Sequence, residues 1–293
     1  MGGLSLADMR PSAEKLVIAA LFLAACTGPG ASGTSPTISN STTMGLPGTT
    51  GAPTPSCDRA IEFTEGGRVA SMERLGSDAQ TVGLISWEAP SQCETFTISF
   101  VSSEGAPATT PPSVTVDFLD PAPILRIALD ATGSVIADQV VDTGLVDRLF
   151  VVDSIDGGVF IDLHLKGPAQ ARVSTGESPA TLQLELQPGL VDHPNRPVVI
   201  EDLVLISPME GSDVDSPVEV SGYARKTSGG LVVIATSGDL VLGEHQLEPA
   251  GEVGSWGEFR TSLALDPGPV TIFAGEDLGP GGLEGVTVQM TVG

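Results

Sequence analysis

One pattern constrains this chain more than any other: apolar and polar residues alternate one by one, with Gly, Pro, Asn and Asp breaking the runs at short intervals. Leu182, Leu184 and Leu186 alternate with Gln183, Glu185 and Gln187. Val114, Val116 and Phe118 repeat the pattern, as do Phe259, Thr261, Leu263 and Leu265, and then Val286, Val288, Met290 and Val292. A period of two belongs to a strand with one buried and one wet face, and no helix can satisfy it. With 36 Gly, 23 Pro and aromatic residues at 4%, the chain has the turn-rich composition of an all-β protein.

Other segments refine this expectation. Leu149-Phe150-Val151-Val152 and Leu231 to Ala235 are short continuous apolar runs, the mark of strands buried on both faces. Ile124, Ile127 and Leu129 follow Pro121 and Pro123. Val159, Ile161, Leu163 and Leu165 alternate with Phe160, Asp162, His164 and Lys166, which places the second set on a polar face. Asp156-Gly157-Gly158 between two runs reads as a hairpin turn. Turn clusters recur at Ser237-Gly238-Asp239, Asp266-Pro267-Gly268-Pro269 and Gly279-Pro280-Gly281-Gly282. Residues 189–197, GLVDHPNRP, read as a linker. Two β-sandwich domains are therefore expected, over 57–190 and 198–293.

Leu16 to Ala25 is an unbroken apolar run of ten residues. Spanning a bilayer takes about 20, whereas ten suits the core of a signal peptide, here preceded by Arg10 and Lys15. Leu23-Ala24-Ala25-Cys26 resembles the bacterial lipobox, which implies cleavage after residue 25 and diacylglycerol on the Cys26 thiol. Met9 before Arg10 offers a more usual start to such a leader than Met1. Residues 1–25 are read as the leader and 26–56 as the lipidated cysteine with a linker. Thr27 to Ser56 carries no charge and few large apolar residues, so it is expected to stay disordered, as a flexible tether with a span of about 30 Å. Its threonines and prolines would suit O-glycosylation, and Asn40-Ser41-Thr42 matches the N-glycosylation pattern by chance. The expected location is the outer face of the cytoplasmic membrane, with the membrane as first partner through lipid on Cys26.

Thirteen Lys and Arg stand against 37 Asp and Glu, a net charge of −24. The leader carries two charges of each sign, so its removal leaves the balance unchanged. A chain this acidic is repelled by nucleic acid, which is excluded as a partner. With Cys26 lipidated, Cys57 and Cys93 remain, an even pair in an oxidising compartment, and a disulfide is expected. Closing that loop would contribute about 4 kcal/mol. Two buried thiols are the alternative. Neither cysteine has the neighbours a zinc site needs.

Few residues suggest chemistry. His164, His193 and His245 lack partners at metal-ligand spacing. Ser12-Ala13-Glu14-Lys15 matches a Ser-x-x-Lys pattern, but inside the leader. Asp153, Asp156, Asp213 and Asp215 lie in turn-like contexts and are candidate calcium ligands, although aspartates are common in turns for local hydrogen bonding. Trp87 and Trp256 could stack on sugars or fill the core. No catalytic residues, cofactor or metal are assigned, and the chain is expected not to be an enzyme.

Two resemblances add to this reading. Leu205-Ile206-Ser207-Pro208, Val214, Ser216-Pro217-Val218, Val220-Ser221-Gly222, Ala224 and Trp256-Gly257-Glu258-Phe259 resemble the immunoglobulin-like domain of bacterial spore germination, over about 200–293. The family's Phe-Glu after the Gly-x-Ala element is replaced by Lys226-Thr227-Ser228. Val146 to Val152, Asp156-Gly157 and Asp162-Leu163-His164-Leu165 are similar to the AMIN-like domains of actinobacterial lipoproteins, over about 58–190. The first resemblance implies a β-sandwich without catalytic residues, the second a wall-binding role. The expected function is a non-catalytic envelope lipoprotein that binds peptidoglycan or another wall component. The alternative is a protein–protein interaction or assembly factor at the cell surface.

Overall fold

In the computed structural model, residues 62–90, 93–227, 229–278 and 282–293 are described. Among them there is no helix, and the protein is all-β. The first half of the chain supplies β1 (Arg68–Met72), β2 (Thr81–Glu88), β3 (Glu94–Val101), β4 (Val114–Leu119), β5 (Ile124–Leu129) and β6 (Gly133–Ser134). It continues with β7 (Asp138–Val140), β8 (Val146–Asp153), β9 (Val159–Leu165), β10 (Ala169–Gly176) and β11 (Thr181–Pro188). Residues 189–197 form no strand. The second half supplies β12 (Val198–Ile200), β13 (Leu203–Ser207), β14 (Asp213–Val214), β15 (Val218–Arg225) and β16 (Leu231–Ser237). It ends with β17 (Leu240–Leu247), β18 (Trp256–Leu263), β19 (Gly268–Asp277) and β20 (Leu283–Val292).

The strands make three sheets. One runs β10-β11-β3-β2-β6, another β14-β20-β19-β16-β17, and a long third sheet runs β1-β4-β5-β9-β8-β18-β15-β13-β12, with β7 on β8. The period-two pattern determines which side chains meet. Val114, Val116, Leu125, Ile127, Leu149, Val151, Ile161 and Leu163 on the long sheet face Phe96, Ile98, Phe100, Leu182, Leu184 and Leu186 in one core. Leu203, Leu205, Val220, Phe259 and Leu263 face Val233, Ile272, Val288 and Met290 in a second core. Each large side chain withdrawn from water contributes about 1.5–3 kcal/mol, which is the main drive for both layers.

The long sheet is continuous because β18 of the second half pairs in parallel with β8 of the first, at Gly257↔Asp153. A methyl group on Gly257 would meet the backbone of Ala250, so glycine lets the segment before β18 lie against the start of that strand. Phe150, Val152 and Phe160, on the outer face of the first half, pack against Val204, Tyr223 and Trp256 of the second. The described residues lie within one compact unit, Pro53–Gly293.

This junction corrects the reading of β9. Its seven residues are all buried, and Asp162 and His164, expected on a wet face, are 0% and 8% exposed. The second half covers the face that period two alone assigns to water. Glu185 of β11 departs in the same way. It is buried and ion-paired with Arg172, whose guanidinium lies 4.5 Å from the centre of the Phe63 ring.

Candidate functional site: a polar cleft where the two halves meet

Arg126 and Asp162 stand opposite each other in the β5–β9 ladder, each a single charge in an otherwise apolar strand. The register brings them together, and Arg126 donates from Nε to Oδ1 and from Nη2 to Oδ2, both at 2.8 Å. The guanidinium lies over the Phe160 ring, its carbon 3.8 Å from the ring centre. Burial alone would lower the Arg126 pKa. Asp162, and then Glu258, outweigh it and hold the guanidinium above its ordinary range. Burial pulls the Asp162 carboxyl upward against the attraction of Arg126. The two-point contact needs a carboxylate, so the pair stays ionised at neutral pH.

Glu258 arrives on β18 from the second half. Its Oε2 accepts from the Ser154 hydroxyl at 3.0 Å and from the Ile155 amide at 3.2 Å. Its Oε1 accepts from Arg260 Nη2 at 3.0 Å. Glu258 thus ties the 154–158 hairpin turn of the first half to the second. Gly158 lies in this turn at φ +75°, where an added Cβ would run into the Leu129 carbonyl, so the tight return into β9 needs glycine.

Around this network opens a cleft of about 440 Å³, within the range of small-ligand sites. Arg126, Phe160, Glu258 and Arg260 line it. Glu73, Thr115, Asp130 and Asp156 complete the walls. Glu73, Asp130, Asp156 and Arg260 are exposed. The cleft can offer hydrogen-bond donors from two guanidinium groups and acceptors from three solvated carboxylates.

Behind the cleft the junction is closed. The Tyr223 hydroxyl and His164 Nε2 share a hydrogen bond in a buried setting. Desolvation lowers the His164 pKa to about 4 and raises that of Tyr223. Trp256 is 1% exposed and lies edge-on to Phe150 and Tyr223. Its Nε1 donates to Asp138 Oδ1 at 3.1 Å, and Arg225 donates to the same oxygen at 2.7 Å. A solvent-borne substrate could not reach His164 or Tyr223.

The residues singled out from the sequence fall elsewhere or into structural roles. Cys26 and Cys57 lie outside the described residues, and Cys93 is buried just before β3. Among the described residues, no group of three or more His, Cys, Asp or Glu could hold a metal ion. Asp153 accepts from Ser255 at 2.7 Å, Asp156 sits in the β8–β9 turn, and Asp213 and Asp215 lie at β14 in the other half. Trp87 stacks on Phe96 and packs against the first core, while Trp256 is sealed in the junction and offers no sugar platform. His193 stands 3.9 Å from Asp120, and His245 is hydrogen-bonded to Thr261. Neither Arg126 nor Arg260 stands out in the sequence, and Glu258 does so only within the Trp256-Gly257-Glu258-Phe259 element. The available signal was the lone Arg and lone Asp in two apolar strands, which is informative only once the register is known.

No protein-family model, curated protein or solved structure matches the chain.

Proposed function

We propose that this chain is a non-catalytic lipoprotein of the bacterial cell envelope, held by lipid on Cys26, whose β body binds peptidoglycan or another wall component. The observation that carries the binding role is the cleft around Arg126. It is built from both halves, and Arg126 and Arg260 are each held by a buried carboxylate, Asp162 and Glu258. Pre-set donors lose little freedom when a ligand arrives, a property of binding sites. The lipobox-like segment and the uncharged stretch 27–56 would set this body on a tether above the membrane. The immunoglobulin-like and AMIN-like resemblances fit the same layout. The test is sedimentation of the detergent-solubilised full chain with purified peptidoglycan. Pelleting with the wall supports the reading, and a protein left wholly in the supernatant refutes it.

One feature favours a second reading, an assembly factor that contacts another exported protein. Among the described residues, β17 is an edge strand paired with β16 alone, and it exposes Leu240, Val241 and Leu242 in succession. Uncovered edges of this kind accept a further strand. Cross-linking from position 241 in intact cells would capture such a partner, and an absence of adducts would count against it.

A further inference from the structure

Resting on the cleft as the binding site, we propose that its ligand is a zwitterionic peptide segment, with a carboxylate held by Arg126 and Arg260 and an ammonium held by Asp130 and Asp156. A guanidinium has five N–H donors, and Asp162 takes two of those on Arg126. The Nη1 and outer Nη2 edge remains. Its nearest acceptor, Glu258 Oε1, stands 3.9 Å from Nη1, beyond hydrogen-bond reach. Glu258 is itself engaged by Ser154, Ile155 and Arg260. Arg126 is therefore held over Phe160 by Asp162, a fifth of its side chain open to the cleft, with a two-pronged donor edge of the shape a carboxylate fits.

The surroundings discriminate among ligands. Carboxylates outnumber guanidinium groups on the walls, and the whole chain carries −24, so a polyanion is repelled. A bare cation makes no use of the guanidinium edge. A neutral sugar gains no stacking here, since Phe160 is 3% exposed beneath Arg126. A ligand with an anionic and a cationic end satisfies both walls, and the cleft volume holds a few residues.

The probe is Nα-acetyl-Lys-Ala-Ala with a free C-terminal carboxylate, titrated calorimetrically into the detergent-solubilised full chain. Two capped versions serve as controls, one with the lysine amine acetylated and one with the carboxylate amidated. The free peptide should bind, and each cap should weaken it about ten-fold or more, since each removes a charge-assisted contact. Arg260→Gln should shrink the difference made by the amide cap, Arg126 alone then holding the carboxylate. Asp130→Asn with Asp156→Asn should abolish the difference made by the amine cap. These residues are exposed, so an unchanged melting temperature shows that the variants fold. No binding of the free peptide, or equal binding of all three peptides, overturns the proposal. If the chain pellets with peptidoglycan but the peptide neither binds nor competes, the zwitterion assignment falls and wall binding stands. If the peptide binds but the wall does not retain the chain, the ligand class stands and the wall reading falls.

Discussion

Trp256 is the point at which the two halves depend on each other, and Trp256→Ala tests that dependence. The side chain lies among Phe150, Tyr223 and Val204, is 1% exposed and donates to Asp138. A buried Trp withdraws about 150–250 Å² from water, worth about 4–6 kcal/mol at about 25 cal/mol per Å². Truncations of buried Phe and Trp cost about 3–5 kcal/mol, so about 4 kcal/mol is expected here. For a body of this size that lowers the melting temperature by about 8–16 °C. The substitution leaves Trp87 as the sole tryptophan. Trp87 packs in the first core, away from the junction, so its fluorescence reports on the first half alone. Melting followed by Trp87 fluorescence and by circular dichroism should shift together. Trp256→Phe keeps the wedge but loses the bond to Asp138, so it should cost about 1–2 kcal/mol. If the Trp87 transition stays in place while circular dichroism shows an earlier one, the halves unfold separately and the reasoning fails.

His164 should make stability depend on pH. Its folded pKa, lowered by burial to about 4, lies below the ordinary 6.5, so the unfolded chain binds the extra proton first. Stability is full above pH 6.5 and declines by about 3 kcal/mol as pH falls toward 4. His164→Gln, which keeps a partner for Tyr223, should flatten that slope; an identical slope in denaturant titrations would refute the assignment. Gly257→Ala forces a methyl into the Ala250 backbone and should cost about 1–3 kcal/mol, read as a fall in the urea midpoint. Non-reducing peptide mapping should recover Cys57 linked to Cys93, and finding both cysteines alkylated without reduction would refute the pairing. Cys26→Ala should release the protein from the membrane fraction or leave it unprocessed. Continued detergent-phase partitioning of a processed form would refute lipid anchoring.

Local pattern was enough to establish that the chain is all-β. Period two assigned the inward residues of β4, β11 and β20, and the Gly238-Asp239 and Asp156-Gly157-Gly158 turns marked the β16–β17 and β8–β9 hairpins. Those signals are legible because they depend only on a strand's own geometry. What covers a strand's second face depends on residues a hundred positions away. Asp162 and His164 therefore read as solvent-facing until Tyr223 and Trp256 are laid over them. The motif residues quoted for the two resemblances, Phe150, Asp162 and His164 on one side and Trp256, Gly257 and Glu258 on the other, turn out to be the two sides of one junction. The cleft had no sequence signature for the same reason. Arg126 meets Asp162 through the β5–β9 register, and Glu258 reaches both halves because β18 pairs with β8 beside it, at Gly257↔Asp153. The sequence by itself determined which residues form strands and where they turn. The tertiary structure alone decided which charges are buried together, because desolvation and ion pairing act between groups that only folding brings into contact.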